Sequence, residues 1–302
     1  MSKSITEQAT NSIRISGTLI DIAFREGKLK TDGRPYASAT ATVRVTQTYG
    51  GREETSEYLV DMFAPKYTKQ NQLSASYDNI QNMRNWKTAQ QCGIEEASRV
   101  YIRNGSIREN NYVANSGNLV SGWRINTPFM SQSRMQDTGN FDMTIFIMDM
   151  HEEMDRDGDP TGRLIIKGGI VQYGGNLDVI EFVVEDPNKV DYLSRNWEIN
   201  DTVRVQGYIR CTSQEEKVSK KTSSWGEEIP SFASRLVKEL IIVNGDDTGR
   251  EEEQAYDPVE IKKAFNVRKA KLEQLQIDAK AKAESAASAP KSDVTSKQYD
   301  WE

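Results

Sequence analysis

One strand is written twice in this chain. Residues 202–212 read TVRVQGYIRCT, and residues 98–109 read SRVYIRNGSIRE. In each, apolar residues alternate, a glycine interrupts, and Ile-Arg follows. Alternation with period two assigns successive side chains to opposite faces of a strand. Two such copies in one chain therefore constrain it to two sheets of related design. The flanking elements repeat too. Stretches 12–24, 38–48 and 55–63 alternate and are rich in β-branched residues, with GKLKTDGRP and YGGRE as turns between them. A polar, non-alternating stretch at 70–97 reads as helical or partly irregular, and strand periodicity resumes at 98–108 and 119–130. The second half gives the same order: strands at 141–151, 163–173 and 177–187, a short helical stretch NKVDYLSRNWE, then strands at 202–212 and 235–243.

The copies overlay on the third strand. Pro65 matches Pro187, so Tyr58, Val60 and Met62 fall on Ile180, Phe182 and Val184, which predicts one apolar inward face in each copy. In the fourth strand Val100 and Ile102 fall on Val203 and Val205. The first copy then carries one extra residue at Asn104-Gly105 before Ile107-Arg108, as a β-bulge requires. Glycine suits that kink because it has no side chain to collide.

Three strands, a helix and two more strands is the order of the oligonucleotide-binding (OB) fold, a small Greek-key barrel. With its third strand closed by a proline and its glycine-containing fourth strand ending Ile-Arg, the chain resembles OB-fold single-stranded DNA-binding proteins, particularly the larger tandem kind of tailed phages. The expected fold is mainly β: two tandem five-stranded OB barrels at 12–134 and 138–245, then a C-terminal segment at 246–302 with a helix and a flexible tail. The resemblance implies sequence-independent binding and protection of single-stranded DNA in replication, recombination or repair, without catalysis. Nothing in the charge or the aromatics separates DNA from RNA.

Charge is divided unevenly. The net formal charge is +5 over residues 1–135, −8 over 136–245 and −3 over 246–302. A polyanion is therefore expected to meet the first barrel. No run of 18 or more apolar residues exists to span a membrane, and the start, MSKSITEQATNS, has no secretory signal. Cys92 and Cys211 lie far apart, which fits a reducing cytoplasmic setting, host cytoplasm for a phage-encoded chain, and argues against a zinc site. The single histidine, His151, has no nucleophile elbow beside it. The acidic turn from Asp155 has Pro160 and Ile166 where a calcium loop needs glycine at its sixth and glutamate at its twelfth position. No cofactor and no metal is expected.

Binding a single strand needs cations along the phosphates and flat side chains under the bases. Parity turns Arg44 outward on the second strand, Leu59, Asp61 and Phe63 on the third, and Tyr101 and Arg103 on the fourth, with Arg108 beyond. Lys28, Lys30, Arg34 and Tyr36 surround the first turn, and Lys66, Tyr67 and Lys69 follow the third strand. The last group is the most telling, because a loop has no core to explain its tyrosine. Trp86 is added as a stacking candidate; it and Trp123 are also explained by packing, and Arg44 and Arg103 by pairing with neighbouring acids. In the second barrel Glu181 and Glu185 stand where the first has Leu59 and Phe63, so little DNA affinity is expected there unless Arg204, Tyr208 and Arg210 form a separate patch.

At the C-terminus GDDTGREEEQ reads as an acidic linker, and Asp257-Pro258 with Glu260 as a helix start. Ile261, Phe265, Leu272, Leu275 and Ala279, with Arg268 as the one basic break, form a heptad-like seam, which fits docking on the chain's own barrels, or self-association or partner binding through 257–284. The tail ends in Tyr299, Asp300, Trp301 and Glu302, an acidic-aromatic tip similar in character to the partner-recruiting ends of bacterial single-stranded DNA-binding proteins, though it lacks their terminal Pro-Phe. Replication or recombination proteins are its expected partners. The alternative readings are a β-barrel structural or scaffold protein of a virion or assembly, and an accessory subunit of a nuclease or polymerase.

Overall fold

The computed structural model describes residues 2–114, 117–222 and 228–288, with side chains throughout except at 214–235 and 282–288. The chain is mainly β. Strands β1 (Asn11–Lys28), β2 (Pro35–Tyr49) and β3 (Arg52–Pro65) form a meander. Helices α1 (Ala75–Asn82) and α2 (Ala89–Cys92) follow, then β4 (Arg99–Val113), β5 (Leu119–Asn126) and the two-residue β6 (Ser131–Gln132). The β2–β3 turn is Gly50-Gly51 with both φ positive, the left-handed pair that a two-residue hairpin demands.

β1 pairs antiparallel with both β2 and β4, β2 with β3, and β4 with β5, while β3 meets β5 in parallel at Val60↔Ile125. The sheet thus closes in the order 1-2-3-5-4, the OB arrangement. Strands β7 (Thr138–Met154), β8 (Pro160–Gln172), β9 (Asn176–Val184), β10 (Thr202–Thr222) and β11 (Glu228–Gly245) close the same way, with α3 (Pro187–Asn196) in the place of the longer insert. Asp186 caps α3 by accepting from the Asn188 amide, 3.0 Å.

The repeat extends to irregularities. Ile20 bulges from β1 between the pairs Leu19↔Val43 and Asp21↔Thr42, and Met148 bulges from β7 between Ile147↔Gly168 and Asp149↔Lys167. A bulge bends the strand, which lets one strand serve two neighbours. Only β4 is bulged against its first strand: Ile13↔Gly105 is followed by Ile15↔Ile102, whereas β10 runs unbroken against β7. A Cβ on Gly105 would lie 2.4 Å from the Ile13 side chain, so the expected glycine kink is sterically required. The inward faces are as parity predicts: Tyr58, Val60, Met62, Val100 and Ile102 are buried, and so are Ile180, Phe182, Val184, Val203 and Val205.

The barrels join through an antiparallel β1–β7 ladder from Asn11↔Met143 to Ser16↔Thr138. Its centre is Ile13↔Phe141, and these two residues hold equivalent places in the two barrels. The ladder therefore lies on an approximate two-fold axis. Contacts off the axis come in related pairs: the Cys211 amide donates to Ser56 Oγ at 3.0 Å, and the Glu109 amide donates to Asp178 Oδ2 at 3.4 Å.

Two expectations need correction. β5 stops at Asn126 rather than running to Met130, because Pro128 has no amide to donate and Asn79 instead clamps the Met130 backbone at 2.9 and 3.0 Å. The stretch expected as a linker is docked on the second barrel. Asp246 accepts from the Arg204 amide and from Arg250, and its carbonyl accepts from the Trp197 indole. Helix α4 (Pro258–Ser288) begins where expected. Its first half spans both barrels: Ile261 is buried, Phe265 packs on the core, and Arg268 donates to Glu109 of β4 while Lys271 reaches Asn176 of β9. Arg268, the apparent flaw in the seam, is thus a docking residue. No described helix is long and apolar enough to cross a membrane.

Candidate nucleic-acid interface

Outward residues of β1, β2 and β3 line up across the first barrel in rows. Register places Gly27, Tyr36 and Pro65 in one row, Arg25, Ser38 and Phe63 in the next, then Ala23, Thr40 and Asp61, and then Asp21, Thr42 and Leu59. Small residues on β2 leave a trough between bulkier ones on its neighbours. The trough opens into a groove of about 890 Å³, walled on its far side by Trp123 and Arg124 of β5 and by Lys238 of β11. Leu59, Phe63 and Tyr112 project into it 48%, 54% and 48% exposed, three large apolar or aromatic surfaces without a protein cover.

Beyond Phe63 the groove runs into a basic and aromatic rim. The Tyr36 ring rests on Gly27 and lies 5.1 Å from the Phe63 ring centroid. Arg34 holds Asp32 at 2.7 Å and donates to the Tyr67 carbonyl at 3.0 Å, fastening the β1–β2 loop to the segment after β3. Lys66 stands 5.6 Å from the Tyr67 ring centroid and 6.0 Å from that of Tyr77, and its amide donates to the Pro35 carbonyl. Lys28, Lys30 and Lys69 are exposed around them. The structure therefore brings together Lys28, Lys30, Arg34, Tyr36, Phe63, Lys66, Tyr67 and Lys69.

The other sequence candidates stand apart from the groove. Arg44 donates twice to Glu57, at 2.9 and 2.6 Å, because the residue opposite it on β3 is an acid. Trp86, itself part of the insert, is packed against the core. Tyr101 is half-buried where β6 pairs with β4, and Arg103 is exposed beside the Gly105 bulge. Arg108 is held by Asp178 of β9 at 2.9 Å. Sequence reasoning passed over Arg25, Tyr112, Arg124 and Lys238 and weighed Trp123 mainly as packing. Arg25 faces outward with Asp21 and Ala23 because the Ile20 bulge resets the alternation of β1; Lys238 arrives from the other barrel and carried no local signal. The tip Tyr299, Asp300, Trp301 and Glu302 lies outside the described residues.

Electrostatics separate the two barrels. In the groove Asp61 accepts from Thr40 at 2.7 Å and faces Arg124 at 3.4 Å, and among the described residues Arg25 has no carboxylate partner. In the second barrel the positions of Arg25, Ser38 and Phe63 are taken by Glu153, Arg163 and Glu185, linked at 3.2 and 3.6 Å. Glu239 and Arg210 extend this lattice: Arg163 reaches Glu239 at 2.6 Å, and Arg210 reaches Glu185, Glu239 and Glu54 at 2.6, 3.0 and 2.9 Å. Burial works to lower the Arg210 pKa, but bonds from Glu185 and Glu54 outweigh it, so the guanidinium is held charged. Tyr208 stacks on Tyr49 at 3.7 Å and Arg204 is bound to Asp142, so these residues do not form the separate open patch that sequence left in question.

Comparison with solved structures finds similarity to the wild-type single-stranded DNA binding protein from Thermus aquaticus, with 11% identity, a TM-score of 0.49, and coverage of 82% of this chain and 98% of that one. A deletion mutant of that protein gives 11% identity and a TM-score of 0.47, over 83% of this chain and 98% of that one. A replication protein A heterotrimer bound to ssDNA gives 8% identity and a TM-score of 0.21, over 89% of this chain and 72% of that one. Comparison with curated protein sequences finds no match. The family model described as YorF matches residues 9–278, through both barrels and into α4. The chain belongs to the YorF family.

Proposed function

We propose that this protein binds single-stranded DNA without sequence preference along the outer face of its first barrel, and that it protects the strand in replication, recombination or repair rather than acting as an enzyme. One observation carries this reading. The same three-strand row is Arg25, Ser38 and Phe63 in the first barrel and the ion-paired Glu153, Arg163 and Glu185 in the second. Evolution of a purely structural pair of barrels gives no reason to leave an aromatic ring and a cation bare on one and to neutralise the other. An open aromatic face offers stacking worth about 1–3 kcal/mol per base, and unpaired cations at its edge meet the phosphates.

Groove and rim form one track from Trp123 past Leu59 and Phe63 to Tyr36, Lys66 and Tyr67. The acidic-aromatic tip then serves as a contact for partner proteins of replication or recombination, as in the bacterial single-stranded DNA-binding proteins whose ends it resembles, and a cytoplasmic location suits the two free cysteines. The test is a titration of the full chain with a dT homopolymer, followed by tryptophan fluorescence at low and moderate salt. Salt-sensitive quenching that weakens in Phe63→Ala and Arg25→Ala supports the reading; absence of binding in the wild-type chain at low salt overturns it. A parallel titration with a U homopolymer separates DNA from RNA.

A further inference from the structure

Lys238 and Trp123 hold equivalent places in the two barrels. β9 meets β11 at Val183↔Ile241 as β3 meets β5 at Asp61↔Asn126, and Cys211↔Lys238 corresponds to Glu109↔Trp123. The two residues nonetheless meet: Lys238 Nζ lies 5.6 Å from the Trp123 ring centroid. The β4–β5 hairpin of the first barrel and the β10–β11 ribbon of the second therefore touch near the two-fold axis. The root of the ribbon is fixed to the first barrel by buried hydrogen bonds, Cys211 N to Ser56 Oγ at 3.0 Å and Tyr58 Oη to the Ile209 carbonyl at 2.7 Å. Lys238 is exposed, and among the described residues no carboxylate pairs with it. Its directly paired neighbour on β10, Cys211, lines the same groove.

We infer that the second barrel, though its own face is closed by ion pairs, supplies one wall of the first barrel's binding groove, with Lys238 as a phosphate contact beside a base stacked at Trp123. This rests on the reading that the groove holds a single strand. The ligand it adds is the stretch of single-stranded nucleic acid that leaves the groove towards the two-fold axis, so the two barrels bind as one unit instead of one binding and one bystander. A cation at 5.6 Å from an indole is attracted by the ring's quadrupole, which favours the ammonium at this wall of the groove.

The test uses the full chain and a dT homopolymer of roughly 16 nucleotides, the upper footprint expected of one barrel. Lys238→Ala is expected to weaken binding and to reduce the slope of log affinity against log salt by about 0.7, the value for one phosphate contact on a single strand. Lys238→Arg is expected to keep the slope, and Lys167→Ala, on the outer face of the second barrel, to leave slope and affinity unchanged. Trp123→Phe is expected to lose part of the fluorescence quenching. Unchanged affinity and slope in Lys238→Ala, in a preparation where Arg25→Ala does weaken binding, overturns the inference and leaves the groove reading standing. No binding by the wild-type chain overturns both.

Discussion

The hydroxyl of Tyr58, on β3 of the first barrel, donates to the carbonyl of Ile209, on β10 of the second, at 2.7 Å and out of reach of solvent. Across the two-fold axis the corresponding carbonyl, Ile107, is satisfied differently: Asn11 Nδ2 donates to it at 2.7 Å while Asn11 Oδ1 accepts from the Ile107 amide at 3.0 Å. The position equivalent to Asn11 is Gly139, where a Cβ would stand 2.2 Å from the Tyr58 hydroxyl. The two halves thus solve one buried-carbonyl problem by opposite means. Tyr58→Phe leaves Ile209 without its donor and is expected to destabilise the chain by about 1–3 kcal/mol in denaturant unfolding. Gly139→Ala displaces the same hydroxyl and is expected to cost at least as much.

Phe63→Ala removes an exposed ring from the groove rather than a core side chain. It is expected to weaken oligonucleotide binding by about 1–3 kcal/mol, the worth of one stacking platform, while the midpoint of thermal unfolding stays nearly unchanged. Paired titration and melting measurements check both halves of this statement.

Glu109 is almost fully buried, and Arg268 of α4 is its ionic partner. Arg268→Ala leaves that carboxylate unpaired and is expected to cost about 3–5 kcal/mol and to loosen the first turns of α4. The double variant Glu109→Gln with Arg268→Ala recovers much of the loss. Hydrogen exchange of the α4 amides in both variants measures the effect.

Burial pushes the Cys211 thiol up to about 12, so it carries almost no thiolate near neutral pH. Cys92 is half-exposed. Ellman's reagent is expected to titrate Cys92 in the native chain and Cys211 only after denaturation.

Acid stability follows from the junction carboxylates. Hydrogen bonds from Arg204 hold Asp142 below the usual range. At Glu185 burial acts upward, but Arg210 outweighs it and the net direction is down. For an acid depressed in the folded state, stability is full above its unfolded pKa and is lost as pH falls through its folded value. Denaturant midpoints are therefore expected to fall as pH drops below about 4.3, and Glu185→Gln to flatten that slope. Asp178 is lifted by burial and carries the opposite sign, so Asp178→Asn is expected to steepen it.

Much of this molecule was readable from order and parity. The inward faces of both barrels, the Gly105 bulge, the Pro65 strand end and the start of α4 at Pro258 all follow from residues within a few positions of one another. A strand's two faces are set by its own alternation, and a kink or cap by the one residue whose backbone permits it.

What alternation cannot report is which outward charge meets which partner. Arg44 and Arg25 read alike on paper, yet one faces Glu57 across a strand pair and the other faces Ser38. Arg108 is taken by an acid 70 residues away and Arg210 by one 156 residues away. The sequence by itself determined two barrels of one design and the sidedness of their strands, because those depend on local geometry. The tertiary structure alone decided which acids take up Arg163 and Arg210 on the second face, because those pairs join residues far apart in the chain, and that Lys238 of one barrel stands over Trp123 of the other, because the β1–β7 ladder sets the barrels side by side.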